Sequence, residues 1–308
     1  MRTTLQRCTG LIMSALFAAG CARSLAYGTL DGRSVFPPDN AWNRDISHAL
    51  VDPNGEQLLA AVGPNRPLHP DFGTVYNGAP SGIPYVLVPG SQPEVPIHCD
   101  YADESDPGPY PIPPNAPIEG GPSSDGDRHV LVIDKDNWVL YEMWNSHKDK
   151  SGPGWSCGSA AKFDLKSNKL RPEGWTSADA AGLPVFPGLV RYDEVMQQKE
   201  ITHALRFTVV RTRRAFVPPA RHFASKSNDP SLPPMGLRVR LKASFNVAPF
   251  PPAARVILVA LKKYGMILAD NGSDWFVSGA PDPRWNDDDL NTLKRVHCSD
   301  FEVIESPR

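Results

Sequence analysis

The stretch DRHVLVIDKDNWVLYEMW, Asp127 to Trp144, predicts a β-hairpin around which the rest of the chain is organised. Two runs rich in β-branched and aromatic residues flank the polar DKDN, which has the composition of a turn. If Ile133 pairs with Trp138, His129 lies opposite Glu142. Because strand side chains alternate between faces, His129 and Glu142 then share one apolar face. Polar groups on such a face are costly unless they are satisfied or used, so this pair is the first candidate for chemistry.

A second strong strand, EITHALRFTVV at 200–210, also carries a histidine on its apolar side. His203 alternates with the apolar residues of this strand, whereas Arg206 lies on the other face. In the simplest catalytic interpretation Glu142 is the general acid or base, and His129 and His203 orient it or carry protons. A lone histidine on such a face is more often a core hydrogen-bonding group, and that structural alternative stays open.

Three further residues are candidates for catalysis. His222, beside Arg221 after a proline pair, could be a base or anchor a carboxylate of the substrate, although a surface loop explains it as well. Asp127 precedes a strand and Asp270 begins an Asp-Asn-Gly turn, so capping and turn geometry account for them without any function.

Aromatic side chains are typical of sugar-binding surfaces, because their planes stack on sugar rings. The candidate substrate-binding residues are Trp144, Trp155, Trp175, Trp275, Trp285 and Arg206. We expect at least half of the tryptophans to be core residues. The long loop at 103–122, dense in Pro, Gly and acidic residues, leads directly into the hairpin and could form a wall of a site, although a solvated connector is the simpler interpretation.

The composition favours a mainly β protein. The chain has 33 prolines, 24 glycines and 21% charged residues, which indicates many turns and argues against a helical bundle. We predict an antiparallel β-sandwich or jelly-roll-like fold with a few short peripheral α-helices. The net charge of −2 and the absence of a basic strip argue against nucleic acid as a partner. A monomer is expected.

The N-terminus predicts export. Two arginines precede a short apolar run and small residues, which is typical of a signal peptide spanning 1–26. The protein is then secreted or periplasmic, although Cys21 also fits a lipoprotein anchor. We predict a single β-rich domain at 27–308 without an integral membrane segment; an α+β subdomain from about residue 250 is an alternative.

The last third of the chain changes character. It predicts an amphipathic helix at 253–264, followed by strands at 266–269 and 275–278 that form a hairpin around an Asn-Gly turn. Export also suggests one disulfide among Cys99, Cys157 and Cys298, and the pairing stays open.

Two segments carry a resemblance. RPEGWTSADAAGLP, beginning at Arg171, and ALKKYGMILADNGSDWFVSGAPDPRW, beginning at Ala260, resemble segments in a group of exported bacterial proteins with no assigned activity. The resemblance implies an exported, mostly β protein and carries no catalytic assignment.

Three functions fit these patterns. The first is an exported carbohydrate-active enzyme, a glycoside hydrolase or polysaccharide lyase that acts on an extracellular or cell-wall glycan. The second is a non-catalytic glycan-binding or cell-envelope protein. The third is a metal-dependent enzyme in which His129, Glu142 and His203, with His222 as a further ligand, hold a divalent ion such as zinc or manganese.

Overall fold

The computed structural model describes residues 29–30 and 32–305, so the predicted signal peptide lies outside the described residues. The α-helices are α1 (Gly55–Val62), α2 (Pro252–Lys263) and α3 (Asp287–Asn291). The strands are β1 (His69–Asp71), β2 (Val75–Tyr76), β3 (Ala79–Pro80), β4 (Tyr85–Val88), β5 (Ile97–Cys99), β6 (Val130–Asp134), β7 (Val139–Trp144), β8 (His147–Lys148), β9 (Trp155–Cys157), β10 (Ser159–Asp164), β11 (Leu205–Val209), β12 (Arg238–Leu241), β13 (Met266–Asn271), β14 (Phe276–Ser278) and β15 (Phe301–Val303).

The predicted hairpin is confirmed as β6 and β7, at the centre of a four-stranded sheet of order β10-β7-β6-β4. The predicted register is wrong by two residues, because Ile133 pairs with Leu140 and Leu131 pairs with Glu142. Trp138 still belongs to the turn, with a φ of 59°. A shift of two residues leaves every side chain on its predicted face, because strand side chains alternate with a period of two.

Both faces of this sheet are buried, in two separate cores. Leu131, Ile133 and Leu140 point into the larger core, whereas Val132 and Tyr141 point into a smaller one. His129 and Glu142 share the face that looks into the larger core. The hairpin therefore places two polar side chains at the interface between its sheet and the elements packed against it.

The second large sheet has the order β1-β14-β11-β13-β12-β15. β11 runs parallel to β13 and antiparallel to β14, so β11 lies between these two strands. The backbone NH of Trp275 donates to the carbonyl of Thr208 in β11, whereas the predicted hairpin would pair this segment with β13 across the Asn-Gly turn. The prediction of a hairpin formed by β13 and β14 is therefore wrong.

The fold is mainly β, as predicted, with several mixed sheets, one of which forms a curled half-barrel, and few short helices. The sheets are mixed rather than purely antiparallel, because β4 with β6, β11 with β13 and β5 with β9 are parallel pairs. The arrangement is not clearly a sandwich. No helix in the described residues is long and apolar enough to cross a membrane.

A small three-stranded sheet of order β5-β9-β8 brings two cysteines together. Cys99 and Cys157 are direct partners on the parallel strands β5 and β9. Their Sγ atoms are 2.8 Å apart, and both thiols are free in the structure. The third cysteine, Cys298, is buried elsewhere, with its thiol 3.6 Å from the carbonyl oxygen of Leu59.

Candidate functional site: an acidic cleft over a buried arginine

A buried ion pair forms the floor of the site. Arg206, on β11, is 4% exposed, and its Nε lies 2.8 Å and 3.0 Å from the two carboxylate oxygens of Asp179. Another guanidinium nitrogen of Arg206 donates to the hydroxyl of Ser278 on β14. Burial disfavours the charged guanidinium, but the charge and hydrogen bonds of Asp179 outweigh it, and the pKa of Arg206 rises. A charge is thus held firmly at the junction of β11, β14 and the loop that carries Asp179.

Asp270, near the end of β13, stands above this floor. Its carboxylate is 3.8 Å from a guanidinium nitrogen of Arg206 and keeps a side-chain exposure of 21%. Burial, with the nearby charge of Asp179, raises the pKa of Asp270 to about 7, against the opposing pull of Arg206. This carboxyl group is therefore able to hold or release a proton near neutral pH.

His129 occupies the other side of the floor, immediately before β6, and is 1% exposed. Its Nδ1 is 2.6 Å from the carboxylate of Glu119, and its Nε2 is 3.0 Å from the carbonyl oxygen of Ala178. Burial alone would lower the pKa of His129, but the charge and hydrogen bond of Glu119 raise it to about 9. The Glu119 backbone NH also donates to the carbonyl of His129, which fixes the loop against the hairpin.

Asp127 completes this side of the site. It is exposed, and one of its carboxylate oxygens accepts a hydrogen bond from the indole NH of Trp144 at 3.1 Å. Ligand atoms of Glu119, Asp127 and His129 all lie within 4.8 Å of one another. Two acceptor-rich carboxylates therefore converge with one imidazole at the surface of the molecule.

Asp71, at the end of β1, connects this cluster to an open cleft of about 510 Å³. Glu119 also lines the cleft, and Phe276 forms part of its wall, stacked on His69 with ring centroids 3.9 Å apart. Desolvation within the cleft, then the charges of Glu119 and Asp127, raise the pKa of Asp71. We call Asp71, Glu119, Asp127 and Asp270, with the Arg206 floor, the acidic cleft; Asp71 and Glu119 line the open pocket, and the other groups lie beside it.

Glu142, the first catalytic candidate of the sequence, lies beneath the site and is fully buried. Its oxygens accept hydrogen bonds from the backbone NH groups of Val185 at 2.9 Å and Phe186 at 2.8 Å. Burial raises the pKa of Glu142 to about 7, although these backbone hydrogen bonds favour the charged form. The predicted direct pair with His129 is not formed, because the imidazole bonds to Glu119 instead. Glu142 therefore fixes the loop that carries Asp179 and does not reach the cleft.

His203 belongs to a different cluster. Its Nε2 lies 3.3 Å from the carboxylate of Glu194 and its Nδ1 lies 2.8 Å from the carbonyl oxygen of Ala204. Arg191 donates to the other oxygen of Glu194. Each of His129, Glu142 and His203 thus has its own separate partners, so the predicted metal site formed by these three is not assembled.

His222 is half-buried, and its Nδ1 is 2.7 Å from the carbonyl oxygen of Ala180. Its Nε2 lies 3.8 Å from the carboxylate of Glu104. Its hydrogen bonding supports the loop next to Asp179, without a contact to the carboxylates of the acidic cleft.

Most of the predicted sugar platforms are inaccessible. Trp155, Trp275 and Trp285 are between 0% and 5% exposed, so their faces cannot stack on a sugar in this conformation. Trp144 and Trp175 are partly exposed, and of these Trp144 contacts the cleft through Asp127. Arg206 is bound to Asp179 and is a positioning group rather than a free substrate ligand.

The sequence reasoning missed Asp71, Glu119 and Asp179. Each lies in a loop or at the end of a short strand, where an acidic residue has an ordinary solvated explanation. The available signal was the long acidic loop at 103–122, which does form a wall of the site through Glu119.

Comparisons of this chain with protein-family models, curated proteins and solved structures gave no match.

Proposed function

We propose that this protein is an exported glycoside hydrolase that acts on an extracellular or cell-wall glycan. The observation that carries the proposal is that two carboxyl groups near the same charged neighbours, Arg206 and Asp127, have different environments. Asp270 can hold a proton up to a pH of about 7, and Asp71 is an exposed carboxylate facing the same cluster. Glycoside hydrolysis needs one protonated carboxyl group and one carboxylate across a cleft.

The environments of Asp270 and Asp71 indicate the catalytic role of each carboxyl group. Asp270, shielded beside Arg206, is the general acid that protonates the leaving glycosidic oxygen. Asp71 is the carboxylate that acts on water or on the anomeric carbon, and its raised pKa makes it a stronger base. Arg206 positions Asp270 through the 3.8 Å contact between their charged groups, and Asp179 raises the pKa of Asp270 while Arg206 lowers it.

The charge of the cleft favours a hydrolase over a polysaccharide lyase. A lyase that acts on uronic acids must accommodate substrate carboxylates, whereas here Asp71, Glu119 and Asp127 would repel them. Lys294 is a cation in the lining of the cleft, and the charge of Arg206 is already compensated by Asp179. We therefore expect neutral or amino-sugar glycans as substrates.

The test is release of reducing ends from neutral glycans, amino-sugar glycans and polyuronates by the purified protein. Asp270→Asn should reduce the rate by at least about 10²-fold, the usual contribution of a general acid. Asp274→Asn, a nearby carboxylate on the same connection, is the matched control and should retain activity. The wild-type rate should fall as the pH rises above about 7, because Asp270 loses its proton.

Three results would count against the proposal. Glycan retention without product in the wild type would favour the alternative of a glycan-binding protein. Unsaturated products from a polyuronate would favour a lyase. Equal rates for Asp270→Asn and Asp274→Asn would remove Asp270 from the mechanism.

A further inference from the structure

The imidazole of His129 is held by a backbone carbonyl on one side and presents its other nitrogen to a carboxylate. The carbonyl oxygen of Ala178 can only accept a hydrogen bond, so Nε2 of His129 carries a hydrogen. Nδ1 then faces the carboxylate of Glu119 at 2.6 Å. A lone pair cannot face a carboxylate at this distance without repulsion, so a proton lies between Nδ1 and the Glu119 carboxylate here, and a metal ion at Nδ1 would replace that proton and move the two groups apart.

A backbone carbonyl at one ring nitrogen is also the usual support of a metal-binding histidine. Such a hydrogen bond fixes the tautomer and the plane of the ring, and directs the other nitrogen at the ion. His129 is 1% exposed and has this support from outside the acidic group. The ring is therefore already held in the orientation that metal binding requires.

Asp127 is supported in the same manner. The indole NH of Trp144 binds one carboxylate oxygen of Asp127 at 3.1 Å, which leaves the second oxygen available. Asp127 is exposed and Glu119 is 23% exposed, so water can complete a coordination shell on the open side. Oriented ligands on an open surface allow an ion to enter and leave.

We propose that Glu119, Asp127 and His129 bind one divalent transition-metal ion, zinc or manganese, at the edge of the acidic cleft. The ligand atoms lie within 4.8 Å of one another, whereas ligands around one tetrahedral ion are roughly 3.3 Å apart, so the exposed Asp127 side chain would move inward to complete the site. An imidazole with carboxylates suits zinc or manganese, whereas calcium and magnesium prefer oxygen ligands alone. The ion would also offset the repulsion between Glu119, Asp127 and the neighbouring Asp71.

The test is direct binding of Zn²⁺ and Mn²⁺ to the full mature protein after treatment with a chelator, by calorimetry and elemental analysis without any glycan. We expect about one equivalent of metal and a rise in melting temperature. Asp127→Asn should weaken the affinity at least about 10-fold, and Trp144→Phe should weaken it in the same direction because it removes the orienting hydrogen bond. Asp125→Asn, two residues away and exposed, is the matched control and should bind like the wild type.

Because Asp127 is exposed, its substitution does not threaten folding as His129→Ala would. Failure of the wild type to bind either ion, or equal affinities for Asp127→Asn and Asp125→Asn, would overturn the metal site and leave a proton between Glu119 and His129. Glycan hydrolysis is measured separately, so an active protein that binds no metal refutes this inference alone. A protein that binds metal but releases no product refutes the proposed hydrolase alone.

Discussion

The proposed export predicts that Cys99 and Cys157 form a disulfide. They are direct partners on β5 and β9, with Sγ atoms 2.8 Å apart, whereas Cys298 is buried elsewhere. In an oxidising compartment the two thiols lose two electrons and two protons to a disulfide oxidant. The bond would join positions 58 residues apart, in a segment that contains Glu119 and the hairpin.

The effect of this disulfide on stability follows from the number of residues between Cys99 and Cys157. Restricting a loop of 58 residues in the unfolded chain stabilises the fold by about 4 kcal/mol as an upper value. With an unfolding entropy of about 2.1 cal/mol/K per residue over the described residues, this corresponds to roughly 7 °C in melting temperature. Reductant should therefore lower the melting temperature of the oxidised wild type by an amount of this order, and should not change that of Cys99→Ala.

The assay is calorimetry with and without reductant, together with peptide mapping of the unreduced protein. Cys298→Ala is the control: it should lower the melting temperature by itself, because Cys298 is buried, yet keep the full response to reductant. Peptides joined through Cys298, or the same response to reductant in the wild type and Cys99→Ala, would refute the pairing.

Three other predictions concern the interior. Glu142 has a folded pKa of about 7 against an ordinary 4.5, so its contribution to the free energy of unfolding is most favourable below pH 4.5 and is lost as the pH rises to 7. Relative to Glu142→Gln, the free energy of unfolding of the wild type should fall by up to about 3 kcal/mol across that range. A difference between the two proteins that stays the same in urea denaturation at every pH would contradict this prediction. Arg206→Met should cost about 3–5 kcal/mol in chemical denaturation, because it leaves Asp179 buried without a partner, and adding Asp179→Leu should recover much of the loss. Gly82→Ala should lower the melting temperature more than Gly152→Ala. Both glycines have positive φ, but only at Gly82 would the new methyl group clash with a backbone carbonyl. Equal decreases in melting temperature would show that the backbone strain of a positive φ is the only effect.

The hairpin shows what a sequence can determine about a fold. Alternation along β6 and β7 depends only on local geometry, and it placed His129 and Glu142 on the correct face. The register was wrong because Asp134 accepts hydrogen bonds from the backbone NH groups of Asp136 and Asn137, which extends the turn to Trp138. Alternation has a period of two, so it cannot detect a shift of two residues.

Contacts between segments that are distant in the sequence cannot be predicted from local alternation. The hairpin predicted from the Asn-Gly turn does not form, because β11 lies between β13 and β14. No local sequence pattern predicts that position of β11. Glu119 and Asp179 were missed for the same reason. They become partners of His129 and Arg206 only after the loops fold over the hairpin.

The cost of the buried charges supports a functional interpretation of the acidic cleft. A buried ion pair such as Arg206 with Asp179 pays a desolvation penalty that an apolar pair of similar volume would avoid, so stability alone does not explain it. What the pair does provide is a fixed electrostatic environment for Asp270, since Asp179 raises its pKa and Arg206 lowers it. Asp270 is also 21% exposed, so it can exchange a proton with a bound molecule, whereas the fully buried Glu142 cannot. The arrangement is therefore better explained by the chemistry at the cleft than by the packing of the sheets.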